Sequence, residues 1–233
     1  MLPIRSVLVD FDGTACLHDV GVCLGGRFGA PGWGSLGEAY ERGEIGLREL
    51  ISAENAMLLG TQDEMLAFAL EHCPIDPTFE PFLSWLDAAD VPITIVSDGS
   101  AFHVEPLLAG AGIHGLRVVT NDHRFDLDGR HLEMRYPNGH RTCVGCGTCK
   151  MQAVLDAQRQ GAVAFVGDGV SDRFAALYSD VVFAKGYLPR YCDEYGVAYL
   201  DWHDFDDVRR ALEGRDVLHE PVAPERCPGW REA

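Results

Sequence analysis

A chain of 233 residues that is 47% hydrophobic and 24% charged can bury a core of domain size plus a smaller insertion, and no apolar run approaches the ~20 residues of a membrane span. Its net charge of −17 excludes the broad positive face that holds nucleic-acid phosphates, so an anion must be bound by a local device. The chain begins without a basic stretch and apolar signal segment, so a cytoplasmic location is expected, and the eight cysteines then suggest metal or redox chemistry rather than a disulfide framework.

Residues 4–9 form an apolar run that reads as a strand and ends in two aspartates, Asp10 and Asp12. Residues 17–77 read as helices: "SLGEAYERGEIGLRELISAENAMLL", then a capping box at Thr61 and Glu64 that opens "MLAFALEHC". An insertion of this size is expected to be a small helical cap above the strand ends, with Leu47, Leu50, Ile51, Met57 and Leu58 as its core. The α/β core is then expected at 1–16 and 78–217, and the proline-rich polar stretch 218–233 as a loose tail.

After the insertion the pattern alternates. "TFEPFLSWLDAAD" is a helix by its apolar spacing, "VPITIVSD" a strand, "FHVEPLLAGAG" a helix ending at glycine, and "LRVVTN" a strand. "HRFDLDGRHLEMRY" carries Asp128-Gly129 between alternating runs, a hairpin signal. A helix over 150–160, the strand "AVAFVGD", a helix at "DRFAALY" and the strand "VVFA" complete the series. This order predicts an α/β fold with a Rossmann-like parallel sheet covered on both faces, and ligands outside the carboxyl ends of the strands. Asp10, Asp12, Ser97, Asp98 and Asp168 fall at those ends.

In an extended chain Asp10 and Asp12 project to one side, and their repulsion calls for a cation; a hard ion such as Mg2+ takes oxygen ligands, and Asp168 supplies a third carboxylate. Four segments in order resemble the motifs of the haloacid dehalogenase-like phosphatases: "DFDGT" at 10–14, Ser97 ending "ITIVS", Lys150 at a helix head, and "GDGVSD" at 167–172. The insertion is similar to the cap of their phosphoserine phosphatase-like branch. The resemblance implies hydrolysis of a small phosphorylated metabolite: Asp10 as nucleophile, Asp12 as proton donor and acceptor, Ser97, Asp98, Gly99 and Lys150 around the phosphate. It also implies Mg2+ held by Asp10, Asp12 and Asp168, with Asp172 as a ligand or behind one. An aspartate at position 12 separates the phosphatases and some phosphomutases of this family from its dehalogenases and pumps.

A closer resemblance lies in "TCVGCGTCK" before Lys150 and in "FAKGYLPRYC", which are similar to the 2-hydroxy-3-keto-5-methylthiopentenyl-1-phosphate phosphatases of methionine salvage. Phosphoserine phosphatases lack the cysteine segment; their cap grips the amino acid through an acid and an arginine, for which Asp19 and Arg42 or Arg48 are the candidates here. Phosphoserine phosphatase, a phosphomutase of the family, and a zinc-stabilised binding module without turnover remain the alternatives.

His140, Cys143, Cys146 and Cys149 recur every third residue, a spacing that suits structural zinc, with Cys192 or His140 as fourth ligand; reduced, partly buried thiols are the competing reading. Cys16, Cys23 and Cys73 are expected to pack as small apolar groups, and His103 to lie on a helix surface or to face the site. The acids of "DWHDFDD" at 201–207 are expected to cap a helix.

Overall fold

β1 (Ser6–Val9) runs through the middle of a seven-stranded sheet because its alternate side chains are apolar on both faces: Val7 and Val9 enter one core, Leu8 the other. The computed structural model describes residues 4–141, 143 and 145–214, so the tail expected at 218–233 lies outside the described residues. The other strands are β2 (Ile93–Ser100), β3 (Arg117–Phe125), β4 (Leu132–Arg135), β5 (Val163–Gly167), β6 (Val181–Ala184) and β7 (Leu200–Asp201). Their order is β4-β3-β2-β1-β5-β6-β7, parallel throughout except for the antiparallel edge strand β4. Val9 pairs with Ile95 and with Val166, so the ends of β1, β2 and β5 lie side by side and Asp10, Ser97 and Asp168 emerge at one edge.

Helices α1 (Val20–Phe28), α2 (Gly37–Glu41), α3 (Leu47–Ala56) and α4 (Gln62–His72) occupy the insertion. Its two ends are joined by an antiparallel bridge between Cys16 and Ile75, where the Leu17 N–H donates to the Pro74 carbonyl and the Asp76 N–H to that of Ala15. The expected capping box forms at Thr61 and Glu64. Val20, Leu24, Leu58, Met65 and Ala69 join the same buried cluster as Val7 and Phe79, so the insertion packs continuously with one face of the sheet.

That face is completed by α5 (Phe79–Ala88), α6 (Ala101–Gly110) and, at the end of the described chain, α10 (Phe205–Gly214). The other carries α7 (Lys150–Ala157), α8 (Arg173–Tyr178) and α9 (Leu188–Tyr195). No helix among the described residues is long and apolar enough to cross a membrane.

The hairpin forms in a different way from its sequence signal. "LRVVTN" and "HRF" are one strand, β3, whose first half pairs with β2 and whose second half pairs with β4 from Asp122↔Arg135 to Phe125↔Leu132. The connection is longer than a two-residue turn, and the Asp126 carboxylate closes it by accepting the N–H groups of Arg130 and His131. Asp204 accepts the Asp207 N–H at the start of α10, as expected of a cap.

Candidate active site

Asp10 leaves β1 with its N–H on the Val166 carbonyl, and its carboxyl is buried. Lys150, the first residue of α7, reaches it: Nζ donates to Asp10 Oδ1 at 2.5 Å, to Asp172 Oδ1 at 2.7 Å and to Ser171 Oγ at 3.0 Å, and lies 4.0 Å from Asp98 Oδ2. Burial works against the ammonium charge, but Asp10, Asp172 and Asp98 outweigh it and hold the lysine pKa well above its ordinary value.

Among the described residues, Asp10, Asp168 and Asp172 form a group whose carboxylate oxygens lie within 4.8 Å of one another. Burial, then the Asp172 charge, raises the pKa of Asp10 well above the carboxylate range despite Lys150, and the same two causes lift Asp168 to about 6. Asp172 is already engaged on both oxygens: Oδ1 takes Lys150, while Oδ2 accepts the N–H groups of Asp168 and Gly169 at 3.0 and 2.9 Å. It therefore braces the end of β5, and Asp10 and Asp168 are the carboxylates left to face a ligand. One lysine against three crowded carboxylates leaves excess negative charge on hard oxygen donors, which fits a divalent ion such as Mg2+. Thr14 Oγ1 steadies Asp168 Oδ1 at 3.0 Å, and Gly13, at φ +73°, is required because a side chain there would strike the Asp168 carboxylate.

The Asp12 carboxylate is not in this group. The chain does not stay extended after Asp10 but turns over Phe11–Ala15. The Asp12 carboxylate is thereby carried sideways, where Oδ1 accepts the Val20 N–H at 3.0 Å and Oδ2 accepts from Ser97 Oγ at 3.3 Å. Burial, then the nearby Asp19 charge, raises its pKa to about 7.

Ser97 is buried at the end of β2, with the Gly99 N–H on its Oγ at 2.8 Å. The Asp98 side chain and carbonyl are engaged within the fold, apart from any contact its amide makes: Oδ1 accepts the Thr148 N–H at 2.8 Å and the carbonyl accepts Asn121 Nδ2 at 2.6 Å. It fastens the segment preceding Lys150 to the sheet. Asn121, Thr148 and Asn138, which donates to the Thr120 carbonyl, were missed in the sequence; the one signal was asparagine ending the apolar run of β3.

Among the described residues, the candidate zinc ligands do not stand as a group of three or more within 4.8 Å of one another. Cys143 Sγ accepts the Gly145 N–H, and the Cys143 N–H donates to His140 Nδ1 at 3.2 Å. Cys192 is buried on α9 in the cluster with Leu188 and Val197, and burial pushes its thiol up to about 12. These five side chains are not gathered as the carboxylates are. Of the cap candidates, Asp19 caps α1 by accepting the Val22 N–H, and Arg42 is exposed on Glu44. Arg48 lies over the Tyr136 ring and donates from Nε to the Cys146 carbonyl at 3.1 Å, tying α3 to the cysteine segment. Cys16 and Cys73 are buried in the core, as expected.

A parallel sheet with a carboxylate and lysine cluster at its strand ends defines a class of hydrolase, and the model of the haloacid dehalogenase-like hydrolases matches residues 7–176. The chain belongs to that family. It is similar to the 2-hydroxy-3-keto-5-methylthiopentenyl-1-phosphate phosphatase of Bacillus velezensis, at 30% identity over 209 residues and 89% of each chain. It is also similar to the bifunctional enzyme MtnB/MtnX of Bacillus licheniformis, at 32% identity over 227 residues; the match takes in 94% of this chain and 52% of that protein, so the chain spans about half of its length. Among solved structures, a phosphoserine phosphohydrolase-like protein from Francisella tularensis shares the fold with a TM-score of 0.64, at 16% identity over 89% of this chain and 99% of that one.

Proposed function

We propose that the chain is a Mg2+-dependent phosphomonoester hydrolase that acts on a small phosphorylated metabolite through an aspartyl phosphate on Asp10. The observation that carries this reading is the buried Asp10 carboxylate, held by Lys150, with Asp168 and Asp172 gathered beside it and Asp12 next to it at a pKa of about 7.

Asp10 attacks phosphorus and the ester P–O bond breaks; Asp12, protonated, gives its proton to the departing alkoxide. Water then attacks the aspartyl phosphate, Asp12 takes its proton, and free phosphate leaves with Asp10 restored. A group that must be both acid and base in one cycle works best with a pKa near the operating pH, and burial places Asp12 there. Ser97 and the Lys150 ammonium hold phosphoryl oxygens. Asp10 and Asp168 would hold Mg2+, which when bound supplies positive charge against the phosphoryl oxygens. In this reading residues 17–77 are a cap that encloses the substrate, and the enzyme works in the cytoplasm.

The names of similar relatives make 2-hydroxy-3-keto-5-methylthiopentenyl-1-phosphate the leading substrate, and the structural likeness makes phosphoserine the second. The test is phosphate release from both, with sugar phosphates and nucleotides, in the presence and absence of Mg2+, with Asp10→Asn as blank. Mg2+-dependent release that vanishes in the blank is expected; folded protein that releases no phosphate from any of them overturns the reading.

A further inference from the structure

His103 lies on α6 just beyond the Ser97 segment, and it is 6% exposed. Its ring packs near Phe11 and Phe102, with centroids 6.4 and 6.1 Å away. Nε2 is buried without a hydrogen-bond partner and points at Asp12, 3.9 Å from Oδ1. Burial, with a smaller push from His123, depresses the imidazole to about 3, so the ring is neutral at working pH and the approach is not an ion pair. A buried nitrogen that bonds to nothing is costly to keep, and this one has the Asp12 carboxyl in front of it.

The backbone leaves room for this approach. A side chain on Gly99 would stand 2.9 Å from His103 Nε2, 2.7 Å from Asp12 Oδ2 and 2.9 Å from Ser97 Oγ, so all three groups converge over that glycine. Val20 already donates to Oδ1 of Asp12 and Ser97 to Oδ2, and an ionised carboxylate has acceptor capacity left for one more donor.

We propose that His103 is a positioning residue for Asp12: its Nε2–H donates to Oδ1 and holds the carboxyl group aimed at the reacting oxygen. The inference rests on the phosphatase reading of Asp12. The proton of Asp12 goes to the leaving alkoxide as the P–O bond breaks and is replaced from the attacking water; His103 keeps its own proton throughout. A small ring shift from the 3.9 Å separation brings the two atoms to hydrogen-bond length.

The test compares His103→Phe, which keeps ring packing but has no nitrogen, with His103→Gln, whose amide reaches the same place. Single-turnover release of alcohol is measured from the best alkyl phosphate of the panel and from p-nitrophenyl phosphate, whose leaving group departs without a proton. His103→Phe is expected to slow the alkyl ester about 10- to 100-fold and the aryl ester less than about 3-fold, with His103→Gln recovering most of the loss. Equal slowing of both esters, or of neither, overturns the inference while leaving the phosphatase reading intact. Wild-type protein that cleaves neither ester overturns both. Should His103→Phe fail to fold, nitrogen NMR of the wild-type imidazole decides: a neutral ring protonated at Nε2, with a signal that moves in Asp12→Asn, supports the role, and a bare Nε2 overturns it.

Discussion

The carboxylates at the ends of β1 and β5 and the thiols of residues 143–149 are both dense in metal-binding atoms, but different kinds of backbone hold them. Asp10 and Asp168 follow strands paired in a fixed register, Val9 against Val166, and Lys150 and Asp172 stand at the starts of helical segments packed on that sheet. Asp10 and Lys150, 140 residues apart in the chain, are thereby brought to 2.5 Å. The cysteines are close in sequence, yet their segment is irregular and is itself fastened from outside by Asp98 and Asn138. Strand register makes ligands converge; spacing along a loop does not.

The sharpest way to break that contrast is at Asp10. Asp10→Asn keeps the shape and the bond from Lys150 but removes the proposed nucleophile, and turnover is expected to fall by about three orders of magnitude or more, measured as phosphate release by protein with an unchanged fold. Next in size is Lys150→Met. It leaves Asp10, Asp172 and Asp98 buried without their cation, and breaking a buried pair in this way costs about 3–5 kcal/mol. Unfolding in denaturant should show that loss in metal-free protein and a partial recovery on adding Mg2+.

A smaller effect separates metal from proton at the same site. Asp168 titrates at about 6 in the folded metal-free protein against an ordinary 3.8, so the folded state holds a proton that the unfolded chain releases. Stability from this group is full below its unfolded value and is lost as pH rises through about 6, on the order of 3 kcal/mol. Mg2+ removes the cause, because the carboxylate is then paired. The stability gap between Mg2+-loaded and chelator-treated protein, read from their melting temperatures, should therefore widen from pH 5 to 8, the direction that linkage requires, by about 1.4 kcal/mol. A gap that stays constant with pH would separate the carboxylate cluster from the metal.

Much of this was legible in the chain. The apolar runs of β1, β2 and β5 and the helical spacing of α5 gave the sheet and its layers, and the order of motifs placed Asp10, Lys150 and Asp168 at one edge. What was hidden depends on backbone direction. The Asp12 carboxylate stands apart from those of Asp10 and Asp168 because the chain turns at Phe11–Ala15, and two-residue spacing holds for a strand, not for a turn. His103 was ambiguous because α6 buries Phe102, His103, Val104, Leu107 and Leu108, so no polar stripe marks an outer face. α9 buries only Leu188 and Cys192 and β7 has two residues, too little pattern for either to be read.

The smallest predicted effect tests the other half of the contrast. Cys143 is partly buried and its sulfur takes one long hydrogen bond, from the Gly145 N–H at 3.4 Å. A hydroxyl can accept the same donor, so Cys143→Ser should shift stability by less than about 0.5 kcal/mol, as surface substitutions do. A structural zinc ligand behaves otherwise, because metal binding and folding share one free energy, and its loss removes several kcal/mol. A large drop in the melting temperature of Cys143→Ser, matched by the same drop when a zinc chelator is added to wild-type protein, would mean that the loop does gather its thiols once metal is present. A flat result in both would leave the carboxylates as the metal site, and the cysteine segment as a loop whose work is to carry Thr148 and Lys150 to the sheet.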